Sequence, residues 1–276
     1  MSFSLSGKTA LVTGSGRGLG RASAGKLAAA GAQVMLNDID EAVLSETVKE
    51  FEGAGYKVSS FSGDLMDPAT PDKLVQSTLD KLGGLDIIVN NAGYSWDGVI
   101  QKTTDEQFQA MLTIHLVVPF RILRAAANHL RETAKAEIAE GKTVMRKVVN
   151  ITSISGVDGN AGQSGYGAGK AGVVGLTKVL AKEWGRYNVN VNAVGFGLIN
   201  TRMVQPLGGT EASFKMHGQD IKIGVQPAMI EQAKASCALG RIGSPEEAAN
   251  AVLFMCSPLS DYVTGEVLIA SGGFHF

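Results

Sequence analysis

Tyr166 and Lys170 stand four residues apart, and Ser153 stands thirteen residues ahead of the tyrosine. These three side chains are the best suited in the chain to acid/base work. Positions i and i+4 of a helix share a face and lie about 6 Å apart along the axis. A phenol in water titrates near 10, so using one near neutral pH asks about 4 kcal/mol of its surroundings. An ammonium on the same helix face pulls in that direction. The spacing alone is a common coincidence in a chain of 276 residues. Its weight depends on the elements that position it.

Those elements alternate strand and helix. Residues 8–13 (KTALVT) form a short apolar run of the kind buried in a parallel sheet. The run ends in the turn Gly14-Ser15-Gly16-Arg17-Gly18-Leu19-Gly20, and a helical pattern follows from 19 to 30, stopped by Gly31. Residues 33–37 give a second strand with Asp38 at its tip, 41–54 an amphipathic helix, and 57–62 a third strand leading to Asp64. Strand, glycine turn, helix, strand and acid make up a dinucleotide-binding unit, in which glycines let the backbone approach a pyrophosphate at the helix N-terminus. The spacing here is Gly14-x-x-x-Gly18-x-Gly20. Asp38 suits the two hydroxyls of an adenosine ribose and repels a 2′-phosphate, which favours NAD(H) over NADP(H). Arg17 pulls the other way, since a guanidinium welcomes a 2′-phosphate. The plainer reading of Asp38 is a helix cap, a task for which Asp40 is better placed.

Further along come a helix at 72–82, a strand at 86–90, and the small-residue turn Asn90-Asn91-Ala92-Gly93. A long helical pattern covers 104–130; it contains His115, and Pro119 should kink it. The mixed-charge stretch 131–147 reads as a solvated helix extension and surface loop. Residues 147–152 make a fifth strand that places Ser153 at its carboxyl end, where open α/β sheets bind ligands. The helix at 164–187 carries Tyr166 and Lys170, and a sixth strand follows at 188–194. Residues 195–201, with Ile199 and Thr201, follow the nicotinamide end. Residues 205–239 lack a clean period and read as a substrate lid. Ser244-Pro245-Glu246-Glu247 starts another helix, and 266–270 is a seventh strand.

Composition narrows the function class. Net charge is −1 with no basic block, which argues against a nucleic-acid surface. Hydrophobic residues make up 45% and charged residues 18%, enough to fill one core. No apolar run nears 18 residues and the N-terminus lacks a signal pattern, so a cytoplasmic protein without a membrane span is expected. Cys237 and Cys256 read as buried reduced thiols. No metal site is expected.

Taken together, the motifs resemble those of the short-chain dehydrogenase/reductase family, over essentially the whole chain. Residues 13–20 look like its TGxxxGxG turn, Asp64-Leu65 like its adenine-contacting pair, and residues 90–93 like its NNAG motif. Ser153 with Tyr166-x-x-x-Lys170 looks like its catalytic set. The resemblance implies a single Rossmann-type domain, a doubly wound α/β sheet of seven mostly parallel strands with helices on both faces. It also implies a homodimer or homotetramer packed through 104–130 and 164–187. Cofactor contacts would come from Gly14, Arg17, Gly18, Leu19, Gly20, Asp38, Asp64, Leu65, Asn91, Ala92, Gly93, Tyr166, Lys170, Ile199 and Thr201. The implied chemistry is reversible hydride transfer between a secondary alcohol and a ketone. Tyr166 would be the acid or base, Lys170 would lower its pKa and bind ribose, and Ser153 would hold the substrate oxygen.

Residues 159–163 and 261–265 look most like the 3-oxoacyl-(acyl-carrier-protein) reductase and (3R)-hydroxyacyl-CoA dehydrogenase branch, which implies a small-molecule or thioester-borne carbonyl substrate. A dehydrogenase of cyclic alcohols or steroids is the alternative, and a dinucleotide sensor without turnover the reading outside enzymes. The chain departs from the family at His115, where many members carry the asparagine of a fourth catalytic position. An imidazole there can hold a water or titrate near neutral pH. It departs again at Phe196, where Pro-Gly is typical and where an aromatic ring would pack on the nicotinamide or the substrate entrance. The 131–146 stretch is longer than usual and has no assigned role.

Overall fold

The computed structural model describes residues 3–204, 213–216, 219–222, 224 and 227–274. Among them, seven parallel strands form one sheet in the order β3-β2-β1-β4-β5-β6-β9. These strands are β1 (Thr9–Thr13), β2 (Gln33–Asp38), β3 (Val58–Ser62), β4 (Ile87–Asn90), β5 (Arg146–Ser153), β6 (Val189–Phe196) and β9 (Val267–Ala270). Chain order runs outward from β1 to β3, then returns past β1 to β4. The switch point between β1 and β4 opens a crevice at the strands' carboxyl ends, where such sheets bind ligands. Every residue of β1, β4, β5 and β6 is buried, as befits strands covered on both faces.

The covering helices are α1 (Gly18–Ala29), α2 (Glu41–Gly53), α3 (Thr70–Leu82), α4 (Asp105–Leu112), α5 (Val118–Ala139), α6 (Ser164–Trp184), α7 (Pro227–Ser236) and α8 (Pro245–Cys256). One core lies under α3, α5 and α6, built on Leu11, Leu74, Ile88, Ile122 and Val191. The other lies under α1, α2 and α8, built on Val12, Leu27, Leu36, Val89 and Val252. Alternate residues of each strand feed opposite cores, as the period-2 pleat requires.

Four sequence expectations change here. Pro119 kinks no continuous helix. Instead α4 ends at Leu112, Thr113–Val117 form a π-helical turn, and Pro119 lies in the first turn of α5. A proline has no N–H to give the carbonyl four residues back, which belongs to His115, and the wider turn accommodates that loss. Second, the charged stretch 131–147 is not wholly solvated. α5 runs to Ala139, and Arg146 and Lys147 are buried at 3% and 4% exposure at the start of β5. Glu137 forks onto Arg146 at 2.7 and 2.8 Å, and Asp261 meets Lys147 at 2.7 Å, so both charges are paired.

Third, Phe196 does not line an entrance. It is 6% exposed and packs in the core under α1 and α8. Fourth, the segment 205–239 is not irregular throughout. Its described residues include an antiparallel pair, β7 (Ser213–Met216) with β8 (Gln219–Lys222), followed by α7. Residues 205–212, 217, 218, 223, 225 and 226 of that expected lid lie outside the described residues.

The helical run Asp105–Ala139 is long and apolar enough to pass for a membrane span by length and composition alone. It is a core helix here, with Ile114, Val118, Ile122, Leu123, Ala126, Leu130 and Ala134 turned inward. Cys237 and Cys256 are free and buried, as expected.

Candidate active site

The β1–α1 turn is shaped by how closely its backbone approaches itself. A Cβ on Gly20 would lie 2.0 Å from the Gly14 carbonyl oxygen, and one on Gly14 would meet the Ala92 Cα at 2.8 Å. No side chain caps α1, so the N–H groups of its first turn are left for an anion. Asn91 holds the turn through its side chain. Its amide donates to the carbonyls of Thr13 and Gly14 at 2.9 and 3.1 Å, and so pins the turn. Thr13 is the hub. Its hydroxyl oxygen accepts from the backbone N–H groups of Asn91 and Ala92 at 3.0 Å each.

Asp38, 9% exposed at the tip of β2, accepts from the N–H groups of Gly16 at 3.0 Å and Asp40 at 3.1 Å. Asp40 caps α2 and draws Arg17 into an ion pair at 2.5 Å. Asp64 accepts from the Met66 N–H at 2.9 Å, while the Leu65 side chain is buried in the core and offers a ligand only its backbone. Thr201 closes the opposite wall, its methyl 4.0 Å from where a Gly18 Cβ would stand. Ile199 is 8% exposed and bridges to Gly243. An uncapped helix end, a turn with no room for side chains and an acid at the next strand tip fit a dinucleotide.

Beyond the switch point, β5 delivers Ser153 and α6 delivers Tyr166 and Lys170. α6 comes close because its inner face is glycine. A Cβ on Gly169 would lie 2.9 Å from the His115 Cβ, and one on Gly165 3.1 Å from Met111. The Tyr166 ring therefore meets the His115 ring edge-on, centroids 4.8 Å apart. The Ser153 hydroxyl interacts with the Tyr166 phenol and acts to lower its pKa. Lys170 is 4% exposed, donates to the Ile151 carbonyl at 2.7 Å, and sits 5.6 Å from the Tyr166 ring centroid. Three of the four expected catalytic residues thus converge on one point, with His115 behind them.

Burial sets the electrostatics of the site. Burial pushes the Tyr166 phenol up to about 12, and the Ser153 hydrogen bond offsets only part of this. Burial also brings the Lys170 amine down, to about 7. His115 does not titrate near neutral pH. Its burial and the nearby Lys170 hold it well below its usual value, despite the Tyr94 hydrogen bond. His115 Nε2 donates to the Tyr94 carbonyl at 2.7 Å, which leaves Nδ1 as the acceptor, without a hydrogen-bond partner among the described residues.

The sequence reading missed Tyr94, Asp97, Ser155 and Gln163 around Tyr166, and the ladder Asn90–Asn150–Thr177 beneath it. That ladder joins β4, β5 and α6 by bonds of 2.8 and 2.9 Å. Gln163 had a signal in the short motif before the tyrosine, and Asn90 one in the turn at 90–93.

A family profile described as Enoyl-(Acyl carrier protein) reductase matches residues 14–275. With the site's geometry, this decides the family. The chain belongs to the short-chain dehydrogenases/reductases. It is 36% identical to the 3-oxoacyl-[acyl-carrier-protein] reductase FabG of Aquifex aeolicus, over 99% of each chain. It is also 36% identical to the hydroxyacyl-CoA dehydrogenase ChsB1 of Mycobacterium tuberculosis, over 97% of this chain and 78% of the other. A gluconate 5-dehydrogenase of Burkholderia cenocepacia, solved with NADP and tartrate, superposes with a TM-score of 0.84 at 26% identity, over 98% of this chain and 96% of the other. This dehydrogenase is thus an NAD(P)-dependent oxidoreductase built on a single Rossmann-like domain.

Proposed function

We propose that this dehydrogenase reduces a 3-oxoacyl thioester, or oxidises the matching 3-hydroxyacyl thioester, with NAD(H) favoured over NADP(H). The observation that carries the chemistry is the convergence of Tyr166, Lys170 and Ser153 beside the dinucleotide crevice, with the Tyr166 hydroxyl desolvated. The phenol is protonated at neutral pH and so carries the proton a carbonyl oxygen would take. Burial alone holds it at about 12 and makes it a weaker acid, which the bound cofactor and substrate have to bring down. Ser153 holds that oxygen, and its hydrogen bond shifts from the phenol toward the charge that develops there. The nicotinamide supplies the hydride when bound. Lys170 is placed at the crevice to meet the ribose, and neutral His115 fixes the Tyr166 ring and the Gly93–Tyr94 backbone. The names of the relatives support the thioester class.

The cofactor preference is supported by Asp38, an acid at the tip of β2 whose charge would repel a 2′-phosphate, and by Arg17, which Asp40 already engages. A cytoplasmic location accords with this reading, as does assembly into a homodimer or homotetramer. A groove of about 650 Å³ between α5 and α6, with Phe120, Trp184 and Tyr187 in its walls, suits such packing. The segment 205–239 is read as the substrate lid. Of the basic side chains that suit a phosphopantetheine arm, Arg202 is described, and those of Lys215 and Lys222 lie outside the described residues.

The test follows NADH and NADPH absorbance with acetoacetyl-CoA and with cyclohexanone. Faster NADH oxidation with the thioester is expected. Turnover of cyclohexanone alone would reassign the substrate to cyclic ketones. Tyr166→Phe should lose about a hundredfold or more in kcat while binding cofactor normally. Near-normal turnover by that variant would remove Tyr166 from the reaction.

A further inference from the structure

Outside the reacting set, a line of polar side chains runs from the surface to Ser153. Gln163, three residues before Tyr166, forks: its Nε2 donates to Asp97 Oδ2 at 2.8 Å. Its Oε1 accepts from Ser155 Oγ at 2.8 Å and from Asn160 Nδ2 at 3.1 Å. Asp97 also accepts from the Ser95 hydroxyl. The backbone N–H of Ser155 donates to Ser153 Oγ at 3.2 Å. The backbone ties the same segments together, with Gly98 N–H donating to the Gly162 carbonyl at 2.8 Å. The stretch after β4 is thereby fastened to the loop between β5 and α6, in front of Tyr166.

We propose that Asp97 and Gln163 are positioning residues, which clamp the Ser155 loop and so aim the Ser153 hydroxyl at the substrate oxygen. The direction of the bonds carries the argument. A carboxylate only accepts, so Asp97 forces the Gln163 NH₂ toward itself and turns Oε1 inward. Oε1 then holds the Ser155 hydroxyl, and the Ser155 N–H occupies a lone pair of Ser153. The Ser153 hydrogen is left to donate, to the Tyr166 oxygen or to a substrate. Without Asp97 the glutamine amide is oriented only by the longer donation from Asn160 at 3.1 Å. The clamp rests on the proposed reaction only in needing an oxygen for Ser153 to meet, whatever carbonyl brings it.

Asp97 is also a charge facing Tyr166, and it favours the protonated phenol. The other groups around the tyrosine are Lys170 on the same helix, the neutral His115 ring on the π turn and the Ser153 hydroxyl at the end of β5. Asp97→Asn keeps an acceptor and removes the charge; Asp97→Ala removes both. Asp97→Ala and Gln163→Leu should each lower kcat by about three- to tenfold, the worth of a lost hydrogen bond. The double variant should be no worse than Gln163→Leu alone, because the two act in series. Asp97→Asn should stay closer to the wild type in kcat and move the tyrosine-dependent limb of the pH profile to lower pH. All should bind cofactor as the wild type does.

Single variants within about twofold of the wild type in kcat, or additive losses in the double variant, would overturn the clamp. Should the wild type turn over no carbonyl, the proposed function fails but the clamp is still readable. Phenolate absorbance, taken as the difference from Tyr166→Phe, then reports Tyr166 directly. Gln163→Leu, which frees the Ser155 loop and so loosens Ser153 from the phenol, is expected to raise that titration, and an unchanged titration would sink the clamp.

Discussion

Lys170 shows how one buried side chain couples stability to function. Its amine is brought down to about 7 by desolvation, from an ordinary value of 10.5. Between those values the unfolded chain binds a proton that the folded chain does not. The wild type therefore gains stability as pH rises from about 7 to about 10.5. Lys170→Met removes that dependence. Thermal melts of the two proteins should diverge in favour of the wild type across this window, and parallel curves would mean that the lysine is charged when folded. The cost of burying this amine is retained at the crevice, where strained or desolvated groups are usually functional.

At the scale of elements, α1 and α6 work through what their glycines leave out. Gly20→Ala would put a methyl 2.0 Å from the Gly14 carbonyl oxygen, against backbone that cannot yield. Loss of cofactor binding is expected, measured by quenching of protein fluorescence with NADH, and retained affinity would show that the turn can open. Helix α8 illustrates the opposite case, a terminus secured by side chains. Ser244 accepts from the Glu247 N–H at 3.2 Å, and Glu247 returns a bond to the Ser244 N–H at 2.9 Å. Ser244→Ala should cost about 1 kcal/mol in urea unfolding with no change in kcat.

The two cores of the whole molecule meet the sheet on opposite faces, and charged groups lock its amino-terminal edge. Arg146, buried at the start of β5, is held by Glu137 from α5 and lies 3.7 Å from Asp86 beside β4. Lys147 reaches Asp261 just ahead of β9. Glu137→Ala should destabilise by about 2 kcal/mol, less than a fully buried pair costs, because Asp86 remains near Arg146. Chemical denaturation measures this. A neutral result would show that water reaches Arg146 once Glu137 is gone. This edge lies away from the crevice, so kcat should hold.

Sequence and structure divide the account along physical lines. The apolar runs, the glycine turn, Asp38, Ser153 and the Tyr166–Lys170 spacing were legible in the sequence, because strand burial, backbone clearance and helical period are local properties. The parallel sheet and its switch point followed from alternating strands and helices. What the sequence could not carry depends on partners distant in the chain. The π turn at His115 arises where Pro119 denies a hydrogen bond while the α6 glycines press from the other side. Phe196 faces the core because β6 extends two residues further than its pattern suggested. Burial, which no spacing reports, sets Tyr166 high and Lys170 low. The line from Asp97 to Ser153 joins residues up to 66 apart, so only the tertiary structure could draw it.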